Sequence, residues 1–319
     1  MAKLWFMGEA LVDFVPVAAP DGGRAYAPRC GGSPFNTAKA AAAAGARVGF
    51  LGAFSTDMFG AMLADDLARH GIDLSAAPRL DAPTTLAFVD FEGGEPRYAF
   101  FNEGTATRRI APDSMGFDPA PDDLVGFGSI SLIDQPGADA IAAFAEAIAG
   151  RARIAIDPNA RPVMTRDPAD WRRRVGRILA VADVVRLSIE DLAFLDPGAA
   201  PEDFARRLIA GGAGLVVVTH GADGAEGWSR AAHARVPAPR VAVVDTVGAG
   251  DTLMGTLLAT LAGAGWTAPG ALGSLSEAAL RAALMRAVAA AALNCTASGC
   301  APPSRAMVDT FLNDHPAPG

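Results

Sequence analysis

Six strand-like apolar runs recur along the chain, separated by segments with helical spacing, and this alternation limits the fold more than any other feature. The runs are "LWFMG" (4–8), "RVGFLG" (47–52), "GSISLID" (128–134), "RIAID" (153–157), "DVVRLS" (183–188) and "GLVVVTH" (214–220). Amphipathic segments lie near 36–45, 58–70, 137–149, 168–181 and 201–211, and two long helices are expected at about 250–263 and 275–293. Strands alternating with helices pack as βαβ units. The spacing therefore predicts an α/β fold, a doubly wound and mostly parallel sheet with helices on both faces.

Two stretches break the rhythm. "FVPVAAPDGGRAYAPRC" (14–30) and "TTLAFVDFEGGEPRYAFF" (84–101) read as hairpins, the second alternating with period 2 about a Gly-Gly turn at 93–94. Neither is large enough to bury a core of its own. Residues 1–319 are thus expected to form a single domain, with these segments as a small β lid over the C-terminal edge of the sheet, where open α/β folds bind ligands.

Composition excludes several functions. A net charge of −8 argues against nucleic acid as a partner. Lysine occurs only at Lys3 and Lys39, neither after a glycine-rich loop, so there is no GxxxxGK[ST] and no V-A-I-K strand. HExxH, CxxC and GxSxG are absent as well. No stretch reaches about 18 uncharged apolar residues, so no membrane span is expected. Glu9 and Asp13 interrupt the apolar N-terminus and no cleavage site follows, which makes it a first strand rather than a signal peptide. Cys30, Cys295 and Cys300, at no metal-like spacing, fit a reducing compartment, and a cytoplasmic protein is expected.

Chemistry concentrates in "VAVVDTVGAGDTLMGTLLAT" (241–260). A glycine-bearing turn, Gly248–Ala249–Gly250, at a helix N-terminus makes an anion nest of main-chain N–H groups. Asp251 stands where that nest would hold a phosphoryl group, and the helix dipole is expected to keep it ionised. A carboxylate there makes sense if it takes a proton from an attacking hydroxyl; otherwise it is an ordinary helix-start acid. A second constellation, "CGGSPFNTAKAAAAAGARVGFLGAFSTDMFG" (30–60), pairs Gly31–Gly32 with Asn36 at a helix mouth. Asn36 can donate to and accept from a hydroxyl, or serve as an N-cap. Asp13, ending "GEALVD", offers a bidentate acceptor for vicinal hydroxyls, or is a solvated strand end.

With both motifs set out, the chain resembles the ribokinase-type (PfkB) family of carbohydrate kinases, and within it the fructokinases. "GGSPFNTA" through "GAFSTDMFG" resembles the family's N-terminal signature and "DTVGAGDTLMGTLL" its C-terminal one, in the right order and over nearly the whole length. The resemblance implies a ribokinase-like αβα sandwich with a small β lid. It implies Asp251 as the base for the sugar hydroxyl, with Gly248, Ala249 and Gly250 as the hole for the transferred γ-phosphoryl. Asp13, Gly32 and Asn36 would hold sugar hydroxyls. "VVVTHGADGA" resembles the nucleotide loop, placing Thr219, Gly221 and Gly224 near ATP, and Asn294 and Ser298 would lie by its base. Asp245, with the carbonyl of Val247 and those of 294–299, matches a monovalent-cation loop, implying K⁺, while Mg²⁺ would arrive with ATP.

One stretch departs from the family pattern. Where many members carry N-x-x-E, this chain has "SIED", giving Ser188 and Asp191, which read equally as a helix cap. On the resemblance, the substrate is D-fructose, phosphorylated at its terminal hydroxyl. The alternatives are 2-keto-3-deoxygluconate or another sugar or nucleoside, and a pseudokinase that only binds sugar or nucleotide. An uncharged Asn102 in "FFNEGTA" suits a neutral hexose, since a sugar acid favours arginine. Arg161 in "DPNARP" can reach substrate, steady phosphate or brace the sheet edge. The lid edge offers a surface for a homodimer.

Overall fold

Secondary structure follows the apolar spacing. In chain order come β1 (Lys3–Met7), β2 (Leu11–Ala18), β3 (Arg24–Gly31), α1 (Ser33–Ala43), β4 (Arg47–Phe50), β5 (Phe54–Ser55) and α2 (Met58–Arg69). They are followed by β6 (Arg79–Leu80), β7 (Thr85–Glu92), β8 (Glu95–Phe101), β9 (Leu124–Gly128), α3 (Gly137–Ile148), β10 (Arg153–Asp157), α4 (Pro168–Leu179) and β11 (Val184–Ser188). The last third holds α5 (Ile189–Leu195), α6 (Pro201–Ala210), β12 (Leu215–Thr219), β13 (Ala225–Ser229) and β14 (His233–Val236). It ends with α7 (Ala249–Gly263), α8 (Glu277–Asn294) and α9 (Arg305–Asp314). The structure is a computed structural model that describes residues 2–19, 21, 23–92 and 95–315.

Eight strands form the main sheet in the order β14-β13-β12-β11-β10-β9-β1-β4. Strands β4 through β12 in that sheet run parallel, and β13 and β14 add an antiparallel hairpin at one edge. Buried on both faces, the parallel strands are largely apolar, as in "LVVVT" of β12. Period-2 alternation divides β1 between two cores: Leu4 and Phe6 join Leu257 and Leu284 on one face, Trp5 and Met7 join Phe144 and Trp171 on the other.

Helix α1 packs between α7 and the sheet, so the two signature segments lie side by side. Gly255 makes that approach close, since a Cβ there would meet Thr37 O at 2.5 Å. The strand order reverses between β1 and β9, and ligands of open α/β sheets bind beyond the carboxyl ends of strands at such a switch point.

The lid is a separate four-stranded sheet, β3-β2-β7-β8, held by an aromatic ladder in which Phe14 and Phe88 stack at 4.6 Å. Both expected hairpins are present, β2 with β3 and β7 with β8. The Gly-Gly turn at 93–94 lies outside the described residues.

One expected strand is displaced. The run 128–134 does not extend; β9 lies upstream at Leu124–Gly128, and Ser129–Leu132 forms a short 3₁₀ turn. "LVGFG" pairs with β1 and β10, whereas Ser129 takes φ +62°, which no strand accommodates. The β13–β14 hairpin and α9 are additions to the expected elements. Among the described residues no helix is long and apolar enough to cross a membrane.

Candidate active site

Helix α7 begins at Gly248, whose left-handed conformation (φ 75°) suits glycine and whose absent side chain leaves room for Cys300. The first N–H groups of a helix have no intrahelical acceptor. Here the Ala249 N–H turns back to Thr246 O at 3.2 Å, while those of Gly250 and Asp251 head the helix. Against Gly250 lies the guanidinium of Arg186, so close that a Cβ there would come within 2.9 Å of Nη1. Main-chain donors, a helix dipole and a buried cation thus converge on one spot, an arrangement suited to an anion without lysine.

Arg186 is held from two strands. Nη1 donates to Asp157 at 2.6 Å and Nη2 to Thr219 Oγ1 at 2.7 Å. Both members of the Arg186–Asp157 pair are buried. Burial pushes the Asp157 carboxyl up to about 6, opposed by the charge of Arg186.

Asp251 faces the N-terminus of α1. Ser33 Oγ donates to Oδ1 at 2.6 Å and Asn36 Nδ2 to Oδ2 at 2.9 Å. Burial raises this carboxyl above its ordinary value, against the pull of those two hydrogen bonds and of the Arg161 and Arg186 charges. Burial therefore acts on this carboxyl in the direction opposite to the helix dipole considered from the sequence. A base with a raised pKa is better matched to accepting an alcohol proton near neutrality.

Asn36 is not an N-cap. That position belongs to Gly32 (φ 108°), where a Cβ would strike Glu9 O at 2.7 Å, and Asn36 sits one turn inside the helix. Its Oδ1 is buried without a protein partner, an unspent acceptor. Asp13, half-buried on β2, faces Gly31, and burial pushes its pKa to about 6. No protein donor reaches its carboxylate among the described residues.

Asn102, just past β8, donates to Asp134 Oδ2 at 2.7 Å, tying the lid to the turn after β9. Arg161 folds onto the carbonyls of Asn159 (3.1 Å) and Ala160 (3.0 Å). Among the described residues it forms no ion pair, so it does not brace the sheet edge through a carboxylate. Its charge is instead felt by Asp251.

The nucleotide-loop residues separate into three situations. Thr219 is buried beneath Arg186, and Gly221 and Gly224, both at positive φ, flank the turn that follows β12. Ser298 is exposed on the loop after α8. Asn294, expected beside the base, is fully buried and engaged by protein. Its Nδ2 donates to Val247 O at 2.8 Å, while Oδ1 accepts from Ala301 N (2.8 Å) and Thr252 Oγ1 (3.2 Å). It clasps two loops, those of Val247 and Ala301.

The same loops meet at Asp245, which accepts from Val247 N at 3.0 Å and Gly299 N at 2.8 Å. Ser188 and Asp191 form a reciprocal capping box on α5, and the second Asp191 oxygen accepts from Ala160 N at 2.7 Å. That is the helix-cap reading of "SIED".

Four residues of the site escape the motif reading: Glu9, Ser33, Asp157 and Arg186. The last two carry a visible signal, a charge inside a run that should be wholly apolar. Glu9 carries the same signal, a charge interrupting the apolar N-terminus, whereas Ser33 carries none, because its partner Asp251 lies 218 residues away.

A family model described as pfkB family carbohydrate kinase matches residues 1–307. The chain is 36% identical over 274 residues to a fructokinase of Rhizobium leguminosarum bv. trifolii, covering 86% of this chain and 84% of that one. It is 34% identical to a fructokinase of Klebsiella pneumoniae, over 82% and 85% of the two chains. A fructokinase from Xylella fastidiosa solved with bound ATP superimposes with a TM-score of 0.86 at 30% identity, over 98% of both chains. A Vibrio cholerae fructokinase double mutant bound to fructose, ADP and potassium gives 0.85 at 28% identity, again over 98% of both.

Proposed function

The chain belongs to the pfkB family of carbohydrate kinases, and we propose from that premise that it transfers the γ-phosphoryl group of ATP to the terminal hydroxyl of D-fructose, giving fructose 6-phosphate. The observation that carries this reading is the placement of Asp251. It lies between an anion site at Gly250–Arg186 and two sugar-side groups with open hydrogen-bonding capacity, Asn36 Oδ1 and Asp13.

In that arrangement Asp13 and Asn36 hold sugar hydroxyls, with Gly32 allowing the ring to lie against backbone. Asp251 accepts the proton of the attacking hydroxyl, and the Gly248–Ala249–Gly250 turn receives the transferred group through the N–H groups of Gly250 and Asp251 that head α7. Phosphoryl transfer asks the protein mainly for such positioning and charge stabilisation. Thr219, Gly221 and Gly224 border the nucleotide, with Ser298 at its outer edge.

Two ions complete the reading. Asp245 and the carbonyls of the 244–247 and 294–299 loops are hard oxygen donors that fit K⁺, which would fix the loop entering α7. Mg²⁺ accompanying ATP would neutralise phosphate charge. Asp191, shorter than the glutamate of the family pattern and held in the α5 cap, would act on that ion through water.

A neutral acceptor is favoured because Asn102 is bound to Asp134, a carboxylate that repels a sugar acid. The test is ADP release over D-fructose, 2-keto-3-deoxygluconate, ribose and a nucleoside. Fructose should have the highest kcat/KM. A tenfold preference for another acceptor would reassign the substrate, and fructose binding without product would make the protein a pseudokinase. We also propose a cytoplasmic enzyme, since all three cysteines are unpaired. Phe101, 60% exposed on the lid, favours pairing of two lids in solution.

A further inference from the structure

The chain leaves the main sheet for the lid at residues 8–10, and the acidic side chain buried at that crossing is Glu9, 1% exposed. The Ser129 hydroxyl bonds it, and two main-chain donors reach it from different elements. Ser33 N donates to Oε1 at 3.1 Å and Ser131 N to Oε2 at 3.2 Å. The first stands at the N-terminus of α1, whose N-cap Gly32 has no side chain to offer, so Glu9 caps that helix from 24 residues away. The second lies in the turn after β9, where Ser129 is held at φ +62°.

These two bonds lead to opposite sides of the site. Beyond Ser33 N lies the Ser33 hydroxyl and its 2.6 Å contact with Asp251. Beyond Ser131 the same turn delivers Asp134 to Asn102 of the lid at 2.7 Å. We propose that Glu9 is a positioning residue for phosphoryl transfer, a single carboxylate that registers the catalytic Ser33–Asp251 contact against the Asp134–Asn102 contact at the root of the lid.

The side-chain chemistry is restrictive. Two N–H groups approach from different elements, so both acceptors must sit on one rigid group. Glutamine supplies one acceptor and sets an amide donor against the other N–H; aspartate is one methylene short. Burial pushes the Glu9 carboxyl up to about 7, a cost that marks a group kept for its geometry.

The inference rests on the kinase reading above. Its test is a double-mutant cycle on kcat with fructose, using Glu9→Gln, Ser33→Ala and the pair, with ADP affinity measured by calorimetry. Glu9→Gln should lower kcat at least about tenfold and raise the sugar KM, leaving the ADP Kd within about twofold. In the Ser33→Ala background the further loss should shrink to under about threefold, because Glu9 acts through Ser33. Full additivity, or wild-type kcat and sugar KM in Glu9→Gln, would overturn the role. Should Glu9→Gln fail to melt cooperatively, Glu9→Asp enters the same cycle, with the same pattern expected and additivity again fatal. A wild-type enzyme that phosphorylates nothing would refute the kinase reading; an active one with an additive cycle refutes only Glu9.

Discussion

Asn36 gives an amide N–H to Asp251 at 2.9 Å and keeps its own carbonyl oxygen buried and unpartnered. One side chain therefore orients the candidate base and marks where a hydroxyl donor belongs beside it. Such an orphaned acceptor costs about 1–3 kcal/mol, tolerable where a ligand supplies the missing donor.

Asp251→Asn should lower kcat by about 10³-fold, since an amide cannot take the proton, while the ADP Kd stays within about twofold. Turnover near the wild-type rate would remove Asp251 from the mechanism. Stopped-flow detection of ADP, with calorimetry for binding, separates the two effects.

The sugar side should titrate separately. Asp13, with its pKa at about 6, is ionised above that pH and neutral below it, so hydroxyl binding weakens on acidification. The fructose KM should rise about tenfold between pH 7 and pH 5, following the ionised fraction of a single carboxyl. Asp13→Asn should raise the KM at pH 7 and flatten this dependence. A kcat loss at low pH should survive in that variant, because it belongs to Asp251, whose raised pKa has the same sign.

A methyl group at Gly250 would press on the Arg186 guanidinium. Gly250→Ala should therefore reduce kcat by about 10²-fold, the scale of a misplaced stabilising donor, with the fructose KM little changed. Equal losses in kcat/KM for sugar and in sugar affinity would instead indicate a disturbed α1–α7 packing.

Breaking the Arg186–Asp157 pair should be costly. Arg186→Met leaves a buried carboxylate unpaired and should lose about 3–5 kcal/mol in urea unfolding, whereas Arg186→Met with Asp157→Leu should recover most of that stability. Activity should not return with it, because the cation beside Gly250 is still missing.

Asn294→Ala should uncouple the loops at Val247 and Ala301. A loss of about 2 kcal/mol in stability is expected from its severed hydrogen bonds, together with weaker ADP binding. Unchanged nucleotide affinity would show that the clasp supports the fold alone.

The architecture was legible because it rests on local spacing. Apolar runs with period 2 and helices with an apolar face located nearly every parallel strand, and the two glycine motifs located both helix mouths. What escaped depends on distant partners. Asn294 carries no mark of burial in "ALNCTASGC"; its role follows from Val247 and Ala301 folding over it. Ser129 breaks the strand after Gly128 through a backbone angle that residue type does not encode. Asp251 was expected to be held ionised by its helix, and the opposing effect, enclosure by α1, becomes visible only once the two helices are packed.

The contact between Ser33 and Asp251 joins positions 218 residues apart. During synthesis from the N-terminus, the sugar-side half is made long before the acid proposed to act on it, so the site waits for α7 to dock onto α1. On the kinase reading, a chain that ends before α7 would carry the sugar-side groups without their base.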